Sequence, residues 1–496
     1  MRINNRLSRP RLLAFSLPFT AVILSGCVVH PQPLSMQDRR NMLAADHNAM
    51  FDNQQAVNAP ITLDEAMARA LKYNLESRVK LMEEAVAQRQ LDLSNVDLLP
   101  KLAAAAGYSD RNNVLGSSSR SVLTGQQSLE PSTSTDKTTH NADLTLSWNI
   151  LDFGVSYFGA KQQADRLLGL QERRRKVVQL LMQQIREAFW QAAGAQQLEA
   201  RIEPLLTQAH QALDDSRNIE KSNLTAPLQA LSYQRELLEL ILQLEGIRDQ
   251  LSQAKPKLAA LMDLPPGQSF ELAVPPMNDD LTVNVTPDKM EETALLNRPE
   301  LIEASYNERI GLNETHRAMA SLFPGVELSI GDHYDSNSFL VNKNWNDVGV
   351  RLSWNLLNLV NAHTIHAAAK AQYEVAHEQR LAANMAVLSQ VHVAWIDFNS
   401  QKQQFELVHQ LSDVEQRMLE HTENATAADA QGKLAEIRAA TSALMSELRL
   451  YQSYSAYQQS YGQMLTTLGI DPVPATMANA DLNSLIAAIH NQSPHP

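Results

Sequence analysis

The single cysteine, Cys27, is the residue whose chemistry the sequence constrains most closely. Leu24-Ser25-Gly26 precede it, after a basic start with four arginines and no acid and an apolar run from Leu12. This order is typical of an export signal, and Leu-Ser-Gly-Cys matches the bacterial lipobox, in which the thiol is lipidated. We therefore predict a lipoprotein signal peptide over 1–26 and a linker lipidated at Cys27, with palmitate, over 27–60. An ordinary signal peptide with an incidental cysteine is the alternative.

The rest of the chain offers no comparable chemistry. It lacks a Gly-x4-Gly-Lys-Ser/Thr phosphate loop, and His363 and His366 have neither a His-Glu-x-x-His frame nor an obvious third ligand. The net charge of −13 becomes −17 once the four arginines within 1–26 are removed, which argues against a nucleic-acid partner. We predict that the protein is not an enzyme and has no catalytic residue, no metal site and no cofactor.

An internal repeat organises the elements that follow the signal. The segment Leu146-Ser-Trp-Asn-Ile-Leu-Asp returns as Leu352-Ser-Trp-Asn-Leu-Leu-Asn, and residues 70–76 and 261–265 have counterparts in the same order at 294–300 and 468–472. One tandem duplication explains this order. We predict a first repeat over 61–272, a second repeat over 273–473 and a C-terminal tail over 474–496.

Each repeat contains segments in which apolar and polar residues alternate, the pattern of a strand with one apolar and one polar face. We predict strands at about 101–110, 142–150, 325–334 and 347–356. Leu146, Trp148 and Ile150 share one apolar face. Asp143, Glu327 and Arg351 fall on polar faces.

Two interpretations of these strands remain open. The sheet covers a soluble core with its apolar face, or it crosses a membrane with Asp143, Glu327 and Arg351 toward a water-filled lumen. Four strands cannot close a barrel, and an open edge in lipid costs several kcal/mol per unpaired backbone group, about the cost of a lost hydrogen bond. The membrane interpretation therefore requires several copies, and Trp148 and Trp354 are then interfacial aromatics instead of core residues.

Long helices are predicted directly after the second and fourth strands, over about 155–220 and 362–423. A narrow apolar stripe on the first is typical of helices that pack against similar helices. A simple coiled-coil stalk is the alternative, but it leaves the strands without a role. We expect Gly154 to ease the bend from strand to helix, with Asn358 and Asn361 doing so in the second repeat.

These features together resemble the TolC-type outer-membrane factors, and the lipobox resembles that of their OprM-like lipoprotein branch. The resemblance covers about residues 60 to 472. It implies a mainly α fold with a small transmembrane β part: a homotrimer in which twelve strands form one β-barrel, continued by a long α-helical barrel. It also implies an outer-membrane channel of a tripartite efflux or type I secretion system.

The resemblance further implies two kinds of site in the helical part. Helix-to-helix turns at Ser222-Asn223-Leu224-Thr225 and Gln431-Gly432-Lys433-Leu434 would dock a periplasmic adaptor, although both lack the family's valine. Glu436 takes the first of the two acidic positions of the periplasmic gate, while Ala439 takes the second. A surface ion pair between Glu436 and Arg438 is the alternative to a gate role.

The sequence thus predicts a passive duct, anchored in and spanning the outer membrane, with its helices in the periplasm. Its expected partners are two further copies, a periplasmic adaptor (membrane fusion) protein, an inner-membrane transporter and outer-membrane lipid. Val28 supports the outer membrane, because an aspartate there would favour inner-membrane retention. A structural coiled-coil envelope lipoprotein without channel activity is the alternative function.

Overall fold

The structure, a computed structural model, describes residues 31–51, 54–128, 130–222, 227–277, 280–283, 285–426, 433–473 and 480–492. The chain divides into two units, Met1–Gln54 and Gln55–Pro496. In the first unit, α1 (Met36–Phe51) buries no residue. All other elements belong to the second unit.

The second unit is mainly helical and carries one antiparallel sheet. Its helices are α2 (Leu63–Tyr73), α3 (Leu75–Val96), α4 (Ile150–Lys221), α5 (Pro227–Ser252), α6 (Ala254–Leu261), α7 (Pro287–Asn297), α8 (Pro299–Ala320), α9 (Leu356–Val360), α10 (Ala362–Thr426), α11 (Lys433–Thr467) and α12 (Leu482–Gln492). Its strands are β1 (Lys101–Asp110), β2 (Thr138–Asn149), β3 (Gly325–Asp335) and β4 (Asn344–Ser353).

At both places where a strand is followed by a helix, an asparagine side chain caps the N-terminus of the helix. The Asn149 side chain accepts a hydrogen bond from the backbone N–H of Leu151 (3.1 Å), and Asn355 accepts one from Leu357 (3.1 Å). Such bonds satisfy N–H groups that the first helical turn leaves unpaired. The repeated Ser-Trp-Asn therefore marks the end of a strand and the start of a helix in both copies.

Because of these caps, the strands and helices begin and end at residues other than those predicted from the sequence. Ile150 is the first residue of α4 and not the last residue of β2, and Gly154 lies inside the continuous α4, so the prediction that it eases the bend is wrong. The fourth strand runs over Asn344–Ser353 instead of 347–356, because Asn355 already caps α9. Asn361 separates α9 from α10, whereas Asn358 lies within α9.

The sheet and the helices beside it follow the same order. The strands lie in the order β1-β2-β3-β4, every pair antiparallel. The helices joined to them pack in the matching order α3-α4-α8-α10, and farther along α4 and α10 the order is α5-α4-α11-α10. The unit is therefore a single row of elements. One side of the row ends in α3, β1 and α5, and the other side ends in β4 and α10.

The main core lies where α4 meets α11, and aromatic side chains fill it. Trp190 packs edge-on against Tyr454 with ring centroids 4.5 Å apart, and Phe405 stacks on Tyr457 at 5.8 Å. Burial raises the pKa of Tyr457 to about 12, although its hydroxyl accepts a hydrogen bond from the backbone of Leu281 (3.2 Å).

The two repeats close with the same turn. Asp263 and Gly469 both have positive φ, 53° and 71°, and the next residue of each donates to a carbonyl five positions earlier. This is the left-handed helix end that glycine adopts most easily. Asp263 also accepts a hydrogen bond from the backbone of Leu75 (2.7 Å), which holds the turn against the start of α3.

Candidate channel-forming surface

The apolar face of the sheet is exposed. Along β2, Leu144, Leu146 and Trp148 are 46%, 40% and 39% exposed, whereas the residues between them are partly shielded. The register continues the face across the sheet, since Leu146 lies opposite Leu102 on one side and Ile330 on the other. A soluble sheet would bury this face against a core. Among the described residues this face stays exposed, which favours the membrane interpretation of the strands over the soluble one.

The polar face is crowded, and three of its positions are glycines. A Cβ added at Gly331 would lie 2.3 Å from the His333 ring and 2.7 Å from Asp347. One at Gly107 would lie 2.3 Å from the Asn141 side chain, and one at Gly349 would lie 2.6 Å from a serine hydroxyl. Larger neighbouring side chains thus occupy the space above these glycines, so the polar face is closely packed.

A histidine bridges two carboxylates on this polar face. His333 Nδ1 lies 2.6 Å from Asp143 Oδ1, and His333 Nε2 lies 3.3 Å from Asp347 Oδ1. Trp345 stacks on the imidazole with ring centroids 5.2 Å apart. Asp143 was predicted on this face, but His333, Asp347 and Trp345 were missed. Extending the alternation of β3 by two residues beyond Gly331 would have placed His333 there.

The two other residues predicted on the polar face are neighbours. Glu327 and Arg351 lie directly opposite each other on β3 and β4, and their charged groups are 3.7 Å apart. Arg351 remains 81% exposed. The polar face thus carries two charged groups. His333 with its two carboxylates lies near one end of the sheet, and the Glu327–Arg351 ion pair lies near the end joined to the helices.

The two predicted interface aromatics lie at the helix-side ends of their strands. Trp148 is the penultimate residue of β2, on the apolar face. Trp354 follows β4 directly, and its indole N–H donates to the carbonyl of Leu322 (3.0 Å). Both rings are partly exposed, at 39% and 47%. An aromatic ring with an anchored polar edge suits a boundary between lipid and water.

Both sides of the row of elements expose apolar side chains. On α3 they form a stripe at helical spacing, comprising Val79, Met82, Val86, Leu93 and Val96, all more than half exposed. On α10 the opposite side of the row exposes Val375, Met385, Val393, Ile396 and Leu407 to a similar degree. On the sheet, β1 and β4 are the edge strands. Exposed apolar stripes beside open strand edges mark surfaces for further protein contacts.

Two loops meet at the end of the sheet away from the helices. Asp136, in the loop between β1 and β2, accepts hydrogen bonds from the backbone (2.5 Å) and hydroxyl (2.9 Å) of Ser338, in the loop between β3 and β4. Asn337 reinforces the contact by donating to the carbonyl of Ser134 (3.0 Å) and accepting from the backbone of Asp136 (3.1 Å). The bonds from Ser338 lower the pKa of Asp136.

The residues predicted for docking and lipidation fall largely outside the described ranges. Cys27, Asn223, Leu224, Thr225, Gln431 and Gly432 all lie there. Of the two predicted turns, the structure describes Ser222 after the end of α4, and Lys433 and Leu434 at the start of α11. The Ser222 hydroxyl donates to the carbonyl of Asn218 (2.8 Å) at the end of α4.

Glu436, the predicted gate residue, makes an ion pair, but not with the expected arginine. Its carboxylate lies 3.0 Å from Lys433 Nζ, one helical turn earlier. Arg438 instead pairs with Glu236 on α5. The alternative to a gate role, an ion pair of Glu436, is therefore present, but with Lys433 instead of Arg438. Residues two apart on a helix do not face each other, whereas residues three apart do.

The described residues contain neither a metal-binding cluster nor a membrane-spanning helix. Among them, no three histidine, cysteine, aspartate or glutamate side chains cluster closely enough to hold a metal ion. Within the same ranges no helix combines the length and apolarity needed to cross a membrane.

The fold of this chain is similar to the folds of several proteins of known structure. No protein-family model and no curated protein matches the sequence. Solved structures do match. The outer-membrane channel MtrE of Neisseria gonorrhoeae is 15% identical with a TM-score of 0.64, covering 85% of this chain and 95% of its own. The outer-membrane channel CmeC of Campylobacter jejuni is 13% identical with a TM-score of 0.61, covering 89% and 94%.

The outer-membrane protein VceC of Vibrio cholerae is 14% identical with a TM-score of 0.59, covering 82% of this chain and 96% of its own. At such identities the likeness shows the fold. It extends over nearly the whole length of each solved chain, so the expected resemblance is confirmed as a shared architecture.

Proposed function

We propose that this chain, which has the fold of the TolC-type outer-membrane channels, is one subunit of a passive exit duct through an outer membrane. The observation that carries the proposal is the exposed apolar face of the sheet, paired with a crowded polar face behind it. In lipid, an apolar outer surface and a polar lumen are the stable arrangement for a barrel. The same four strands in water would leave that face without a partner.

Closure of the barrel needs further copies. Four strands leave β1 and β4 as open edges, and unpaired backbone groups cost several kcal/mol each in hydrocarbon. We infer a homotrimer of twelve strands, in which β4 and α10 of one subunit meet β1 and α3 of the next. The matching order of strands and helices supports this, because the same side-by-side contact would close the sheet and extend the tube of helices below it.

The polar face then lines the lumen. Asp143, Glu327 and Arg351 would contact the passing solution, together with His333. The helices α4 and α10 would continue the water-filled path through the periplasm. With no energy-converting motif in the sequence, movement of cargo would be driven by an inner-membrane transporter reached through a periplasmic adaptor.

The adaptor would bind the far ends of the long helices. We assign this contact to Ser222, Asn223, Leu224 and Thr225 and to Gln431, Gly432, Lys433 and Leu434, on the resemblance to the family alone. Crosslinks placed at these eight positions in whole cells would capture the adaptor. Capture at these positions, without capture from exposed positions near the sheet, is the expected result.

We assign Glu436 to the periplasmic gate. Three copies of one carboxylate around a narrow opening repel one another and favour cations, and the pair with Lys433 partly offsets that charge. Glu436→Ala is expected to raise single-channel conductance, with Glu420→Ala on α10 as the control. Unchanged conductance in Glu436→Ala would remove this residue from the gate.

The lipid anchor at Cys27 would hold the N-terminal linker at the membrane in addition to the barrel. Cys27→Ala therefore separates the two modes of attachment. We expect the variant to need detergent for extraction and to migrate as a heat-modifiable trimer. Release as a soluble monomer would count against the barrel and would favour a structural envelope lipoprotein.

A further inference from the structure

A cavity of about 280 Å³ lies away from the sheet, between α4, α11, α2 and α12. Its walls are mostly apolar, with Met67, Met182, Leu465 and Ile489 contributing from four different elements. Two charged side chains, Arg186 of α4 and Asp471, also line it. A largely apolar cavity with few polar groups is the usual form of a small-molecule site.

Arg186 has no carboxylate partner among the described residues. Its guanidinium donates one hydrogen bond to Gln458 Oε1 (3.2 Å) and lies over the Tyr461 ring, 5.3 Å from the centroid. Asp64 is close enough to influence it, but the Asp64 carboxylate bonds to His490 Nδ1 (2.9 Å). Burial lowers the pKa of Arg186 against the effects of Tyr461 and Asp64.

Asp471, the carboxylate in the same lining, pairs with Arg175 (2.6 Å) and Gln179 (2.7 Å) instead. Arginine stays charged in proteins, so Arg186 brings to the cavity a positive charge without an ion-pair partner among the described residues.

A second polar group in the same cavity is also unsatisfied. Gln183, one turn before Arg186 on α4, has a buried Oε1 without a hydrogen-bond partner in the described part of the chain. Buried polar atoms in folded proteins are nearly always paired. Gln458 Nε2 donates to the Tyr454 hydroxyl (2.7 Å), on the other side of the Gln458 amide from Arg186. Gln183 Oε1 is an acceptor and needs a donor, so it is the charge of Arg186 alone that calls for a bound anion.

We propose that this cavity binds a small amphiphile with one anionic group, a carboxylate or a phosphate ester, and a short apolar body. The anionic group lies at Arg186, where the guanidinium still has donors to offer. The apolar body lies along Met67, Met182, Leu465 and Ile489. The site is separate from the sheet and from the predicted gate, because none of these residues belongs to either.

Titration calorimetry of the full chain in non-ionic detergent tests the site with hexanoate and hexyl phosphate as probes. Hexanol and hexylammonium keep the apolar body and remove or reverse the charge. We expect one anion bound per chain, and at least about tenfold weaker binding of both controls, the usual difference made by a charge-assisted hydrogen bond. Equal binding of hexanol would overturn the proposal without any mutation.

Variants at one position check where the anion binds. Arg186→Gln is expected to weaken hexanoate binding at least about tenfold, and Arg186→Lys to keep part of it because the charge remains. Arg166→Gln, an exposed arginine on the same helix, is the matched control and should bind as the unchanged protein does. Unchanged binding in Arg186→Gln, or equal loss in Arg166→Gln, would overturn the assignment.

The length of the apolar body separates a free metabolite from a membrane lipid as the source of the anion. If the cavity takes a small free ligand, palmitate should bind at least about tenfold more weakly than hexanoate, because its chain does not fit in 280 Å³ beside the headgroup. Palmitate binding as tight as that of hexanoate would overturn the small-ligand proposal and point to lipid. Channel conductance plays no part in these measurements, so failure here and failure of the duct are distinguishable.

Discussion

Leu146 on β2 lies directly opposite Ile330 on β3, and the two side chains are 40% and 55% exposed on the same face of the sheet. Cross-strand pairs of this kind normally stabilise a sheet by packing into a core. Here the pair lies on the exposed apolar face, while the polar residues that alternate with it along each strand crowd together on the opposite face. That relationship is the basis for treating this face as the lipid-facing surface.

A charge on the apolar face should prevent stable insertion. Leu146→Arg is expected to cost up to about 2–4 kcal/mol in a bilayer, the range found for arginine on the lipid face of barrels. Heat-modifiable mobility and the fraction recovered in outer-membrane extracts measure the effect. Thr145→Arg is the matched control, because its side chain faces Gly331 on the polar face with Asp347 beyond. Equal loss of membrane-inserted protein in both variants would contradict the assignment of the faces.

Charges on the exposed stripe of α3 should disrupt assembly. Met82→Asp with Val86→Asp removes about 1.5–3 kcal/mol of apolar burial per side chain if a neighbouring subunit covers them. Size-exclusion chromatography with light scattering should show monomers instead of trimers. Gln88→Asp, exposed on the same helix, should leave the trimer intact. Trimers that survive the double substitution would show that α3 is not at the subunit interface.

The contact between the two loops should weaken in acid. Ser338 holds the pKa of Asp136 below its ordinary value of 3.8, so the bond is fully formed above that value and is lost as pH falls through the lower, folded value. Asp136→Asn should therefore speed hydrogen exchange in residues 111–137 at neutral pH. The difference in exchange rate between Asp136→Asn and the unchanged protein, compared at the same pH, should vanish well below pH 3.8. Glu130→Gln in the same loop should show no such difference; a pH-independent difference in Asp136→Asn would contradict the account.

The turn that closes the second repeat should tolerate no side chain at Gly469. Its φ is 71°, and a Cβ there would lie 2.5 Å from the Asn297 carbonyl carbon. Gly469→Ala should lower stability by about 1–3 kcal/mol for the strained backbone alone, seen as a lower thermal midpoint. Gly246→Ala, in the open face of α5 with nothing within 4 Å of the added Cβ, should raise stability by about 0.5–1 kcal/mol. A neutral Gly469→Ala would mean that the turn rearranges.

The sequence predicts the elements of this fold well where a single periodicity decides them. Alternation placed the polar face of the sheet, because every second residue of β2 and β3 must share a face. The register between strands depends on long-range pairing, which alternation does not determine, so the contacts of His333 with Asp143 and Asp347 were missed. Their side chains come from three different strands.

Local chemistry explains the errors at the junctions. Glycine relaxes the backbone, which favours Gly154 as the bend, but the side chain of Asn149, five residues earlier, caps α4 and the chain continues directly into a helix. Similarly, Glu436 pairs with Lys433 because helix geometry favours a spacing of three residues over two. Side-chain caps and helical spacing decide such details, and both are readable from sequence once the helix boundary is known.

Single-channel recording in a planar lipid bilayer tests the central claim most directly. The purified full-length trimer should insert and conduct ions in discrete, uniform steps. Leu146→Arg should reduce the number of insertions without changing the size of a step, because Leu146 faces lipid and not the lumen. A folded trimer that binds to the bilayer but never conducts would contradict the proposal that this protein is a channel.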